Sequence, residues 1–498
     1  MMFHSTGAAR RKARFRAGAT TPKLLCWLPP DTEEGPTMDA ETQETETVTE
    51  RMAETLSKLS LSDIPEKARE VGINDLIDMA GLCIAARQTD YIAKIIDGLE
   101  ADGRCTAIGH PRALDAAGAA IVNGVATHGE DFDDTLEGAP IRVGAMVIPA
   151  VLAACERFDR SGSDALLGIV CGLEAICRFN HIAPGAIHRA GFHPVGVIGA
   201  LGGTVGASVA LGLNARQMTM ALGIAGSLAS GILEYLTDGA WTKRLHPGWA
   251  AQSGLRAALW GRQDYFAPRT VFEGGHNFFK AFAPSYEAPR LNYVNDGLGE
   301  DWLMEKIAFK PYACGTMIHP YIDCMIRLAR DGADADEIES IVCETGEGLV
   351  DRLWEPLADK HDPPSGYAAK FSMPYCMAVG FYDGDAGLDQ FTDARAEDAD
   401  VLALCRKISY VIDPENEYPD NYTGHIRVTF KDGSVRELRQ PHMRGGRKEP
   451  LSREELVQKF RANILYGGWP AEVGEELLDF CVTLEAAPDL SGLAAFRV

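Results

Sequence analysis

The sequence predicts a mostly α protein in which an α+β segment interrupts a helical chain. Three observations predict it. Apolar residues recur at three- and four-residue intervals from about 50 to 303. Strand-like stretches and a hairpin signal follow between 304 and 440. Ser452 and Glu455 then have capping-box spacing, which restarts a helix. The expected organisation is a disordered leader over 1–48, a helical part over 49–303, an α+β part over 304–440 and a second helical part over 441–498. A chain of 498 residues is long enough for more than one core.

The leader is poor in apolar residues. Pro29, Pro30 and Pro36 precede an acidic, Thr-rich stretch, a composition with little to bury. Its start carries Arg10, Arg11, Lys12, Arg14, Arg16 and Lys23 without an acid. It reads as an organelle transit peptide or as a leader ahead of an internal start at Met38. The expected location is cytoplasmic, or the mitochondrial matrix if the leader is a transit peptide. The stretch "IPEKAREVGINDLIDMAGLCIAA", 64–86, has helical spacing. The segments "LDAAGAAIVNGVATHG" and "GAMVIPAVLAACERF" are nearly all apolar, as helices buried on several faces are. Val195 to Leu213 is uncharged, with glycines at 196, 199, 202, 203, 206 and 212. A membrane span would carry bulkier apolar residues and interfacial anchors, so this is expected to be a core helix. Beyond 303, "IESIVCETG" and "KISYVID" read as strands. In "HIRVTF-KDG-SVREL", 425–438, a Lys-Asp-Gly turn joins two alternating segments.

The net charge of −23 argues against a nucleic-acid surface, which needs a basic face. A pocket for a small anion stays open, because a few local cations can dominate it. The 12 cysteines contain no Cys-x-x-Cys pair. Cys83, Cys155, Cys171 and Cys177 sit in apolar runs and read as buried hydrophobes in a reducing compartment. No phosphate loop or dinucleotide fingerprint occurs.

Four clusters could carry chemistry. In "THGEDFDDTLEG", His128, Asp131, Asp133, Asp134 and Thr135 could hold a hard cation, or they could cap and turn a helix end. No known metal-ligand spacing is present, and no metal is expected. In "HRAGFHPVG", His188 and His193 stand out. His193 precedes Pro194 at a helix start, where the helix field lowers an imidazole pKa. In "DGAWTKRLHPGW", Lys243, Arg244 and His246 sit within four positions, with Trp241 and Trp249 beside them. Lys243 reads as a desolvated amine of lowered pKa, serving acid–base chemistry or a carboxylate, or as part of a solvated face. In "FKPYACGTMIHPYID", Lys310, Tyr312, Cys314 and His319 form a turn, or Cys314 beside His319 is a nucleophile.

These clusters, in this order, resemble the MmgE/PrpD family, which includes 2-methylcitrate dehydratase, cis-aconitate decarboxylase and iminodisuccinate epimerase. "HGEDFDDT", "GFHPVG", "DGAWTKRLHPGWAAQSG", "FKPYACGTMIHPYID", "AAKFSMPYCMA" and "PLSREELVQKFRAN" all match its pattern over about 50–498. The resemblance implies a cofactor-free homodimer. It also implies a large all-helical domain built from both chain ends, with a smaller α+β domain inserted between them. The pocket would lie between the two and take a di- or tricarboxylate. Asp131, Thr135, His193, Lys243 and Lys310 match the family's functional positions. Leu136, Arg142 and Gly315 stand where relatives carry histidine, which weighs against cis-aconitate decarboxylation.

The expected activity is therefore a cofactor-free lyase that abstracts a proton and eliminates water, with decarboxylation as a variant. His193 or Lys243 is the expected proton-transfer group, supported by Asp131 and Lys310. Thr135, Arg142, Arg244 and His246 are expected to bind substrate. Epimerisation of an amino- or iminodicarboxylate is the second reading, since it needs the same proton removal. A carboxylate-binding protein that has lost its chemistry is the third. No nucleic-acid or membrane partner is expected.

Overall fold

Thr47 starts the helical part. Its hydroxyl accepts the Glu50 amide while the Glu50 carboxylate accepts the Thr47 amide. Helix α1 (Val48–Leu56) thus begins within the stretch assigned to the leader. The computed structural model describes residues 45–139, 141–286 and 290–498; the basic leader, with the expectations drawn on 1–44, lies outside the described residues. Residues Glu46–Val498 form one compact unit.

The helical part follows the apolar periodicity. Its long members are α2 (Glu66–Ala86), α3 (Ala116–Gly129), α4 (Gly144–Phe158), α5 (Gly162–Ile182), α6 (Pro194–Ala210), α7 (Ala215–Leu228) and α8 (Thr242–Gly261). The Gly-rich α6 is the central member. Each of its residues is buried, and it packs against α4, α5, α7 and α8. Helix α5 is long and apolar enough to cross a membrane, but 89% of its most apolar window is buried inside the protein. It also carries a buried ion pair, Glu174 to Arg178 at 2.6 Å.

Small residues set how closely the helices approach. A Cβ on Gly124 of α3 would lie 2.7 Å from the Gly248 Cα of α8, closer than real contacts allow. Two backbones therefore touch at this crossing. Gly124 lies one turn before His128, and Gly248 lies just beyond His246. The crossing brings the "HGEDFDDT" and "WTKRLHPG" segments together, which their separation in sequence conceals.

The α+β segment contains α9 (His319–Arg330), α10 (Met373–Asp383) and a four-stranded sheet. The strands are β1 (Ile338–Thr345), β2 (Ile408–Ile412), β3 (Gly424–Phe430) and β4 (Val435–Gln440), in spatial order β2-β1-β3-β4. β2 runs parallel to β1, with Ile341 opposite Ile408, and the other pairs are antiparallel. The expected hairpin is β3–β4, and Gly433 takes the left-handed conformation (φ 82°) that its turn needs. Helix α9 covers β3 and β4 and packs on α10. The chain then returns to its beginning. Ser452 and Glu455 form the expected capping box of α11 (Arg453–Tyr466), and α11 and α12 (Ala471–Val482) pack against α2. Among the described residues the fold is mostly α, with small sheets only.

Lys459 on α11 ties this return to the functional loop. Its ammonium lies 2.7 Å from an Asp78 carboxylate oxygen and donates to the Phe132 carbonyl at 2.7 Å. The 11 described cysteines are all buried and free, as the apolar runs predict.

Candidate active site

Helix α3 ends at Gly129, and the chain turns at once. Asp131 adopts a left-handed conformation (φ 55°), which Asp tolerates better than most residues. The turn sends its three neighbouring carboxylates to three different destinations. Asp131 faces cations, with Arg142 Nη2 at 3.0 Å, Lys243 Nζ at 3.3 Å and Lys310 Nζ at 3.7 Å. Asp133 accepts His128 Nδ1 at 2.7 Å and lies 3.4 Å from Arg142 Nε. Asp134 accepts the amides of Val143 and Gly144, each at 3.0 Å, and so caps the start of α4. The carboxylate run is therefore a hub and a helix cap. Among the described residues, no group of three or more His, Cys, Asp or Glu is placed to hold a metal.

A two-residue antiparallel ladder places the next segment. Thr135 pairs with Ala308 and Leu136 with Ile307, which brings Lys310 under Asp131. Lys310 is fully buried and also donates to the Asp131 carbonyl. Lys243 comes from the first turn of α8, and His193 from the N-cap of α6.

These residues meet at a cavity of about 820 Å³. Asp131, Thr135, Arg142, His193 and Lys243 line it, together with His128. Its other wall belongs to the α+β segment, with Gly315, Arg352, Tyr367 and Phe371. Tyr235, Tyr418 and Tyr422 add aromatic surface, and His188 and Arg189 also line it. Arg189 and Arg352 are exposed.

Burial works to raise the Asp131 pKa, but Lys243, Lys310 and Arg142 hold it well below the usual carboxylate range. Burial works to lower the Lys243 pKa, but Asp131 raises it above that of a free lysine. The lowered pKa expected from its apolar neighbours is thus reversed by its partner, and Lys243 stays an ammonium. Lys310 goes the other way: burial brings it down to about 8, against the pull of Asp131. Burial, then the neighbouring His128, His246, Lys243 and Arg142, pushes His193 well below an ordinary imidazole. The lowering expected of His193 occurs, with burial as its main cause.

Three expected site residues stand off the cavity lining. Lys310 lies behind Asp131, and His246 lies behind His193, with their Nδ1 atoms 2.9 Å apart. Arg244 donates to the Gly129 carbonyl at 2.8 Å and is sandwiched between the rings of Tyr91 and Tyr367, at 4.5 and 4.3 Å. It pins the end of α3. Trp241 and Trp249 are exposed, so the aromatic wall comes from tyrosines instead. Cys314 and His319 are fully buried and do not line the cavity, which leaves a nucleophile there no substrate to reach. Tyr235 and Arg352 were not singled out from the sequence; no motif surrounds either of them.

The order of motifs that builds this cavity is that of a known family. Residues 50–290 match the MmgE/PrpD N-terminal domain and residues 312–475 the MmgE/PrpD C-terminal domain. A cis-aconitate decarboxylase of Mus musculus is 31% identical over 69% of this chain and 71% of its own. The chain belongs to the MmgE/PrpD family. A cis-aconitate decarboxylase of Homo sapiens is 32% identical, covering 69% of this chain and 72% of its own. One from Aspergillus terreus is 28% identical over 90% of this chain and 95% of its own. In this member of the MmgE/PrpD family, Arg142 brings a guanidinium to the cavity and Gly315 brings no side chain.

A second cavity of about 590 Å³ lies behind the same loop, lined by Phe132, Tyr312 and Lys459 among others. Its inner cations are already matched, Arg444 by Asp323 and Glu455, and Lys459 by Asp78.

Next to the hub lies an acid pair. Asp75 is fully buried, and neither carboxylate oxygen has a hydrogen-bond partner. Burial, then Asp134, raises it well above an ordinary Asp, and burial, then Asp133, raises Asp134 to about 7. A carboxyl whose folded pKa is raised keeps its proton longer when folded than when unfolded. Its contribution therefore falls as pH rises from about 4, the unfolded value, to about 7. Asp75→Asn, which keeps the shape and removes one titration, is expected to raise Tm by a few degrees at pH 7.5 and to flatten its decline as pH rises above about 4, the unfolded value. Calorimetry across that range checks this.

Proposed function

We propose that the protein is a lyase acting on a small di- or tricarboxylate, removing a proton α to a carboxylate and expelling water. One observation carries the reading: Lys243 and Arg142 converge on Asp131 at the wall of a cavity that also presents a neutral His193. Lys243, Arg142 and Lys310 face two carboxylates, Asp131 and Asp133, so one net positive charge remains there. Arg189 and Arg352 add cationic surface for a further carboxylate. Such a site holds the ground-state anion and stabilises the enolate-like charge that grows on proton removal.

His193 stays neutral at neutral pH, so a ring nitrogen can take the α proton. Lys243 stays charged. It gives the leaving hydroxyl the proton with which it departs as water, and it is not the base. Thr135 is in position to meet a substrate hydroxyl, and Asp131 orients the cations. Arg142 holds its proton throughout, and Gly315 has none to give, so neither can protonate a carbanion on carbon. This favours loss of water. The second reading is loss of CO2, supported by the relatives named cis-aconitate decarboxylase.

NMR of a panel of di- and tricarboxylic acids incubated with the enzyme in D2O tests the proposal. A new alkene signal without CO2 release is the expected result. CO2 release would assign decarboxylation, and recovered acid with deuterium at an inverted centre would assign epimerisation. Thermal stabilisation by an acid that never reacts would leave a binding protein. Neither binding nor reaction of any polycarboxylate would overturn the substrate class. Activity is expected to survive dialysis against EDTA, because Asp131, Asp133 and Asp134 each have other partners. Loss that Mg2+ or Zn2+ restores would return them to the role of metal ligands.

A further inference from the structure

His193 and His246 meet through like atoms, their Nδ1 nitrogens 2.9 Å apart. Both rings are buried, with centroids 5.1 Å apart. Tyr235 meets both edge-on, at 5.4 and 5.7 Å. On another side, Gly231 is so close that a Cβ there would sit 3.2 Å from the His246 ring carbons. The Gly231 carbonyl also accepts the His193 amide at 2.9 Å. Packing therefore holds His246 against His193.

Two neutral imidazole nitrogens at hydrogen-bond distance share one hydrogen. The ring that donates it has a bare Nε2, and the ring that accepts it carries its proton on Nε2. Of the two, only His193 lines the cavity. The direction of this single bond decides whether the cavity meets a proton acceptor or a proton donor. The titratable and charged groups around His193 include His128, His246, Lys243, Arg142 and the edge-on Tyr235. His128 differs, since Asp133 holds its Nδ1. The partner that orients His193 is therefore another imidazole.

We propose that His246 is a positioning residue for His193: its bare Nδ1 accepts the His193 Nδ1–H, which leaves the His193 Nε2 lone pair facing the cavity. This rests on the reading of His193 as the proton acceptor. In the step it serves, the substrate α C–H bond breaks, its electron pair stays on the substrate, and the proton goes to His193 Nε2. The Nδ1–H stays shared with His246, which never touches substrate. Burial, then His128, lowers His246 to about 4, so it accepts a hydrogen bond without taking the proton itself.

Nitrogen NMR of the full-length protein labelled with 15N in its histidine rings tests this without turnover, with His193 assigned by signals lost in His193→Gln. A protonated Nδ1 and a bare Nε2 are expected for His193 between pH 6 and 8. A His193 protonated on Nε2 would overturn the proposal. His246→Leu is then expected to lower kcat about thirtyfold or more with KM within about twofold, and to move the acidic limb of the pH profile. His246→Asn, whose amide oxygen can stand where Nδ1 stood, is expected to recover most of that loss. An unchanged kcat and pH profile in His246→Leu would also overturn it. If no acid reacts with the wild type, the proposed reaction fails and the ring spectra still decide the tautomer. If His246→Leu misfolds, the wild-type spectrum and the Asn variant decide alone.

Discussion

Lys243→Met is expected to abolish most turnover while leaving Tm within a few degrees. Lys243 is the ammonium that both lines the cavity and pairs with Asp131, at 3.3 Å. Its charge is secured by that carboxylate, and its head lies 5.2 Å from the Phe371 ring centre, in partly apolar surroundings. Removing a half-buried cation that contacts substrate carboxylate costs on the order of 2–5 kcal/mol of transition-state stabilisation, a rate loss of about thirtyfold to several thousandfold. Stability should change little, because Asp131 keeps Arg142 and Lys310, and the methionine keeps the stem. Lys243→Arg is expected to fail as well, since a planar fork does not fit where an ammonium meets Asp131 in a tight pocket. Steady-state kinetics and calorimetry check both. Normal turnover by Lys243→Met would make the cluster a solvated face.

Asp131→Asn is expected to damage fold and activity together. Three cations lie within 3.7 Å of this one buried carboxylate. Without its charge they repel one another at short range in a partly buried site. Breaking a buried pair costs about 3–5 kcal/mol, and here three cations lose the same partner. Asn tolerates the left-handed conformation as Asp does, so the backbone is not a second cause. The pH dependence isolates the charge. Asp131 has a depressed folded pKa, so its stabilisation is present above about 4, the unfolded value, and is lost as pH falls through the folded value. The wild type should therefore lose Tm on acidification, and Asp131→Asn should start lower and lose less. Activity should fall at least as far as in Lys243→Met, because Arg142 and Lys243 both lose their anchor. A variant with wild-type Tm and kcat would remove Asp131 from the centre of the site.

The sequence determined the elements and their local chemistry. The helical spacing of 64–86, the turn at Gly433 and the capping box at Ser452 are short-range signals, and each forms where it was read. The glycines of α6 announced a helix packed on all sides, because only small residues allow backbones that close. His193, Lys243 and Asp131 were legible as a group because motif order is itself a sequence property. The tertiary structure decided what each of them faces. Arg244 and Lys243 are neighbours in the chain, yet one is stacked between Tyr91 and Tyr367 while the other reaches Asp131. Adjacent residues on a helix point about 100° apart, and only packing says which direction is the cavity. The same holds for charge. Burial alone would have lowered the pKa of Lys243, as it does that of Lys310, and the placement of Asp131 reversed the sign for one and not the other. That placement comes from a backbone crossing at Gly124 and Gly248 and a two-residue ladder at Thr135, contacts between segments far apart in the chain that no local pattern encodes.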